Sequence, residues 1–233
     1  MSERSSRELR PVTMELGFTG STPGSVLISF GGTRVLCTAS VDDEVPRWMR
    51  DSNKGWVTAE YGMLPGSSPE RVRRDNVTGG RAKEISRLIG RSLRAAVDLK
   101  AMSDLMVRVD CDVIEADGGT RTAAITGGWV ALHQALASAV EAGALKANPI
   151  IDQVAAISVG IVEGELWLDL DYDKDVGAEV DLNVVMSGRG LLVEVQGTAE
   201  GAPFSRDDLN DMLDLAETGI GELHDLQRQA VET

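Results

Sequence analysis

Two glycines followed by a hydroxyl and a guanidinium, in Asp117-Gly118-Gly119-Thr120-Arg121-Thr122, make up the stretch of this 233-residue chain best suited to chemistry. Lacking Cβ atoms, Gly118 and Gly119 let backbone N–H groups approach an oxyanion closely, while Thr120 and Arg121 add a hydroxyl donor and a fixed positive charge. Thr78-Gly79-Gly80-Arg81 upstream is read together with this stretch, since it too sets an arginine close behind two glycines. Downstream, Asp175 and Asp181 stand six residues apart just before an apolar run, and such a pair can hold a divalent cation beside a phosphate. Together these residues point to phosphate chemistry. Each also has a plainer interpretation. A Gly-Gly-Thr-Arg turn is an ordinary strand-to-helix connection, and the run holding Asp169, Asp171, Asp173, Asp175, Glu179 and Asp181 reads by composition as a solvated loop. A Ser/His/Asp triad is excluded in practice, because the two histidines, His133 and His224, both fall within predicted helices.

The elements around these residues can be read from periodicity. Gly24 to Val41 forms two β-rich runs joined at Gly31-Gly32, a hairpin signal. Residues 42–80 look largely like loop around a short extended piece, Gly55 to Tyr61. Apolar Ile85, Leu88, Ile89, Leu93, Ala96 and Val97 then predict a helix over about residues 82–99, with Arg87, Arg91 and Arg94 along one side. A strand at Val107–Val113 leads through the Gly-Gly turn into a second helix, Thr122 to about Val140, so that the turn lies at a helix N-terminus that favours anions. The second half reads as a hairpin (Val154–Val162 and Leu166–Leu170), two further strands (Leu182–Met186 and Leu191–Val195) and a last helix from Ser205, where Asp208 completes a capping box. The class is α+β, with mixed sheets covered by helices, and the chain is expected to be one domain over residues 1–233.

Charge is unevenly distributed. The net charge is −14, which argues against a nucleic-acid partner, yet residues 1–100 carry 16 Lys+Arg and 12 Asp+Glu against 7 and 25 in residues 101–233. Residues 71–100 alone hold 9 basic and 3 acidic side chains, so an RNA-binding face is expected there while the acidic remainder keeps the protein soluble. Arg87, Arg91 and Arg94 divide between RNA contact and structural ion pairing. No apolar run reaches the ~20 residues of a membrane span and the N-terminus lacks the apolar core of a signal peptide, so a cytoplasmic protein without membrane association is expected. Cys37 and Cys111 sit among β-formers without metal-ligand spacing and read as reduced strand cysteines.

Several blocks in order resemble the ribonuclease PH family: Leu9-Arg10-Pro11-Val12, Thr33 to Val41, Gly55 to Pro65, Gly80-Arg81, Arg87 to Ala95, Asp110 to Val113, Ala116 to Thr122, Asn183 to Met186 and Glu194 to Gly201. The resemblance covers roughly residues 9–204. It implies a fold like the second domain of ribosomal protein S5, and a phosphate-dependent 3′-to-5′ exoribonuclease that trims tRNA precursors, releases nucleoside diphosphates and runs in reverse as a nucleotidyltransferase. By motif, Arg81, Gly119, Thr120 and Arg121 match phosphate-binding positions. Asp175 and Asp181 match the catalytic acidic pair, acting with Mg²⁺, and inorganic phosphate is the co-substrate. The resemblance also implies a homohexamer built as a trimer of dimers, with tRNA precursors and other RNA 3′ ends as partners and a part in rRNA processing. The alternative is a non-catalytic RNA-binding ring subunit. The chain departs from the family in having Ser5-Ser6-Arg7 where members carry Asp-Gly-Arg, and Ala82-Lys83 between Arg81 and Glu84.

Overall fold

The computed structural model describes residues 4–74, 79–102 and 104–232. Thr78 lies outside the described residues. Five strands form the first sheet in the order β1-β2-β3-β5-β4: β1 Val12–Leu16, β2 Gly24–Phe30, β3 Thr33–Asp42, β4 Trp56–Met63 and β5 Met106–Glu115. The expected hairpin is β2–β3, with Phe30 opposite Thr33 and Gly31 in the left-handed region at φ 54°. β4 runs parallel to β5, and the crossover between them is the helix α1, Gly80–Ala95. Parallel neighbours require such a crossover, and it carries the chain from the end of β4 back to the start of β5.

α2, Thr120–Glu141, packs against both sheets, α1 and the last helix. Its apolar residues go all the way round, as a helix buried on every side requires. Gly24 permits the close approach of β2, because a Cβ there would lie 2.0 Å from the Ala131 carbonyl oxygen. The second sheet has the order β7-β6-β8-β9, from β6 Val154–Val162, β7 Glu165–Leu168, β8 Val180–Ser187 and β9 Leu192–Ala199. Between β7 and β8 lies the short helix α3, Tyr172–Gly177. α4, Arg206–Glu232, closes this layer, and its expected capping box is formed: Asp208 N–H donates to Ser205 Oγ at 3.0 Å and Ser205 N–H to Asp208 Oδ2 at 2.8 Å. A single apolar core runs from Val26, Ile28 and Phe30 through Ile125 and Leu132 to Ile157, Val184 and Leu223. Among the described residues no helix is long and apolar enough to cross a membrane.

The boundaries of α1 and α2 differ from the periodicity for identifiable reasons. α1 begins at Gly80 and stops at Ala95, because Val97 bridges to Ile150 and Asp98 N–H donates to the Pro149 carbonyl at 2.9 Å. Ala96 and Val97 are apolar for that tertiary contact. α2 begins at Thr120 rather than Thr122, since Gly119, at φ 67°, is the residue that turns the chain into it. α3 was hidden in the acidic run: it buries no side chain and so has no apolar period, and it is held by the Asp171 carboxylate accepting from Lys174 N–H at 3.0 Å. Cys37 and Cys111 are buried, free and opposite each other on β3 and β5.

Candidate active site

The Gly-Gly turn is fixed from beneath by a buried ion pair. Arg10, 6% exposed, grips the fully buried Asp169 carboxylate through Nη2 at 2.7 Å and Nε at 2.9 Å. The same guanidinium donates to the carbonyls of Asp117 and Gly118. Thr33 Oγ1 donates to Gly118 O at 2.6 Å and accepts from Asp117 N–H at 2.8 Å. Gly118 and Gly119 both adopt positive φ, 71° and 67°, and a Cβ on Gly118 would meet the Leu170 carbonyl oxygen at 2.5 Å. Only glycine fits there. With its carbonyls held from behind, the turn delivers Thr120 and Arg121 as the first residues of α2.

A cavity of about 610 Å³ opens above this turn. Arg81 from α1, Gly118, Gly119, Thr120 and Arg121 from the α2 entry, and Asp175, Asp181 and Asn183 from α3 and β8 all line it. The structure therefore brings together every phosphate-site and acidic-pair residue expected from the sequence. Among the described residues neither α1 nor α2 carries a side-chain hydrogen bond at its N-cap, and Arg81 in the first turn of α1 and Thr120 and Arg121 in that of α2 line the cavity. Tyr61, at the end of β4, shares a 2.8 Å hydrogen bond between its phenol and Thr120 Oγ1. Burial pushes its phenol above the ordinary value of 10.0, so it remains protonated.

The opposite wall is acidic. Burial raises the Asp175 carboxyl, against the pull of Arg81, Arg121 and Arg10. Asp181 is pushed up to about 6, first by burial and then by the Asp175 carboxylate beside it, with Arg121 opposing. Asn183 Nδ2 makes a long contact of 3.4 Å with Asp181 Oδ1. Two like charges that resist ionisation side by side gain from a shared cation, and Mg²⁺ is commonly held by one or two carboxylates together with substrate phosphate oxygens. The donor set fits that ion. Among the described residues no group of three or more His, Cys, Asp or Glu side chains is arranged as a self-sufficient metal site.

Arg87, Arg91 and Arg94 do not line the cavity. Arg87 is exposed on α1, and Arg91 pairs with Glu194 on β9. Arg94 donates to the Val57 carbonyl at 2.9 Å and lies over the Trp56 ring at 4.4 Å, so part of its guanidinium is engaged within the subunit. His133 and His224 are both helical and outside the cavity, as expected. Sequence reasoning missed Arg10, Thr33, Tyr61, Glu84, Asp169 and Gln196. All but Asp169 lie in or next to a recognisable block, but a supporting partner depends on which strands meet. Glu84 and Gln196 matter because they engage Arg121: Nη1 donates to Gln196 Oε1 at 3.0 Å and lies 3.8 Å from Glu84 Oε2.

Comparison with known proteins covers nearly the whole chain. Residues 8–137 match domain 1 of the 3′ exoribonuclease family and residues 152–219 match its domain 2. Ribonuclease PH of Brucella ovis is 54% identical over 99% of this chain and 98% of its own length, and that of Brucella abortus is equally similar. Among solved structures, the Archaeoglobus fulgidus exosome with RNA bound to the active site superposes with a TM-score of 0.82 at 20% identity, covering 95% of this chain and 90% of that one. Rice Rrp46 follows at 0.79 and 18%, covering 98% of both chains. At these identities the two structures share the fold.

Proposed function

The chain belongs to the 3′ exoribonuclease family, as a ribonuclease PH, and on that footing we propose that its cavity performs phosphorolysis of RNA from the 3′ end. Inorganic phosphate is the co-substrate. The observation that carries this reading is the meeting of Arg81, Arg121, the N-terminal turn of α2 and the Asp175/Asp181 pair in one cavity. A phosphate nucleophile of about two negative charges must approach an anionic phosphodiester, so fixed cations and N–H dipoles are needed to offset the repulsion and hold it in line. Arg81, Arg121, Thr120 and the α2 N–H groups supply them on one wall. As an oxygen of the phosphate bonds to the terminal phosphorus, the bond to the 3′ oxygen of the preceding nucleotide breaks. The products are a nucleoside diphosphate and an RNA shorter by one residue.

The leaving 3′ oxygen then faces Asp175 and Asp181. Asp181, titrating at about 6, can hold a proton at one carboxyl oxygen and pass it to that leaving group. The alternative is Mg²⁺ held by the same two residues as carboxylates, which would neutralise the charge developing there in place of the proton. The finer assignments also belong to this proposal. RNA enters over the basic 71–100 stretch, with Arg87 the exposed candidate and Arg91 and Arg94 contributing from their structural pairs. The substrates are 3′-extended tRNA precursors, the enzyme works in the cytoplasm, and its form is a homohexamer. Residues 1–233 act as one domain because both sheets share a core.

Steady-state assays on Arg81→Ala and Arg121→Ala test the phosphate assignment. Removal of a charge-stabilising donor should cut activity at moderate phosphate by on the order of 10²-fold. Wild-type phosphate dependence in either variant would remove that arginine from the site.

A further inference from the structure

Arg121 is aimed by a chain of side chains that reaches outside the cavity. The Gln196 carboxamide on β9 accepts from Arg121 Nη1 through Oε1 at 3.0 Å. Its Nε2 donates to Glu84 Oε1 at 3.2 Å and to Glu194 Oε1 at 2.9 Å. The other Glu194 oxygen is held by Arg91. Carboxylates only accept, so Glu84 and Glu194 force the amide nitrogen towards themselves and the amide oxygen towards Arg121. The orientation of this amide is thus determined on three sides.

We propose that Gln196 is a positioning residue for phosphorolysis, setting the direction in which Arg121 presents its charge to phosphate; this rests on the assignment of Arg121 to the phosphate site. The neutrality of the amide is what suits it to the task. One hydrogen bond at Nη1 fixes the guanidinium plane while its full charge and its other N–H donors remain for the incoming anion. A carboxylate at this position would instead pair with Arg121 and compete with phosphate, and it would also stand against Glu84 and Glu194. Glu84 does not replace the amide, since its oxygen lies 3.8 Å from Nη1 and its side chain is nearly half exposed. Arg91 enters the same account at one remove. By fixing Glu194 it fixes Gln196, which gives that arginine a task separate from RNA contact.

The test is steady-state phosphorolysis of a 3′-extended RNA in Mg²⁺ by wild type, Gln196→Leu, Gln196→Glu and Arg121→Ala, with inorganic phosphate varied. Loss of one hydrogen bond to a charged group should raise the phosphate KM of Gln196→Leu about tenfold. With its guanidinium still present, kcat at saturating phosphate should stay within about twofold of wild type. Gln196→Glu should raise the phosphate KM further than Gln196→Leu, and neither variant should change the KM for RNA. Gln196 is half-buried on a strand surface, so both variants should fold, and a thermal-shift titration with inorganic phosphate alone should reproduce the order of affinities. If Arg121→Ala loses phosphate affinity while both Gln196 variants keep the wild-type KM, the positioning role is overturned and the site assignment stands. If Arg121→Ala itself keeps wild-type phosphate dependence, the assignment beneath the proposal falls with it.

Discussion

Asp181→Asn should stabilise the protein at neutral pH while impairing turnover. In the folded protein the Asp181 carboxyl titrates at about 6 rather than at its ordinary 3.8, because burial and the neighbouring Asp175 both oppose its charge. Each unit of such a gap corresponds to about 1.4 kcal/mol, so the charged form costs the fold at most about 3 kcal/mol. The carboxyl is only partly buried, and solvent screening reduces this to roughly 1–2 kcal/mol. The pH dependence follows from the raised folded value. Above about pH 6 the group is charged whether the chain is folded or unfolded, and the penalty is complete. As the pH falls from about 6 towards 3.8, the folded protein retains a proton that the unfolded chain has lost, and the penalty disappears. Asn has the same shape without the charge. Urea unfolding at fixed protein concentration should therefore show Asp181→Asn ahead of wild type by roughly 1–2 kcal/mol at pH 8, with the gap closing on acidification. Mg²⁺ should raise the stability of wild type more than that of the variant. Equal stability at pH 8, or an advantage that grows as the pH falls, would refute the electrostatic account of this residue.

Two other substitutions test the support of the site. Asp169→Ala leaves the Arg10 guanidinium buried without its carboxylate and should cost about 3–5 kcal/mol of stability, measured by urea unfolding; a loss below 1 kcal/mol would mean that the Arg10 contacts to Asp117 and Gly118 hold the turn unaided. Tyr61→Phe removes the phenol whose shared hydrogen bond orients the Thr120 hydroxyl at the cavity wall. Its phosphate KM should rise about 3- to 10-fold, on the scale of one hydrogen bond of about 1 kcal/mol, and an unchanged KM would show that Thr120 needs no such orientation.

How much could be read in the sequence depended on whether a feature was local. The β2–β3 hairpin, the β6–β7 hairpin, the α4 capping box and the Gly-Gly turn all depend on residues a few positions apart, and all are found where the spacing predicts them. The turn into Thr120 is a backbone requirement, written as two adjacent glycines. Asp169 shows the opposite case. It belongs to an acid-rich run whose composition suggests solvated loop, yet it is fully buried, because Arg10 reaches it from 159 positions away. α3 escaped notice in the same run, since a six-residue helix with no buried side chain leaves no period to detect. Arg94 points the same way. Its charge and its place on α1 left RNA contact and structural pairing both open, and only the fold shows Val57 and Trp56 beneath it. Gln196 stood in a recognisable block, but its task depends on β9 passing beside the first turns of α1 and α2.

The chemical identity of the product tests the central claim most directly. Purified protein incubated with a 3′-extended RNA and Mg²⁺, with and without inorganic phosphate, should release nucleoside diphosphates only when phosphate is present. Nucleoside monophosphates, formed at the same rate without phosphate, would contradict it: water would then be the nucleophile, and a cavity lined by Arg81, Thr120 and Arg121 would not be a phosphate site.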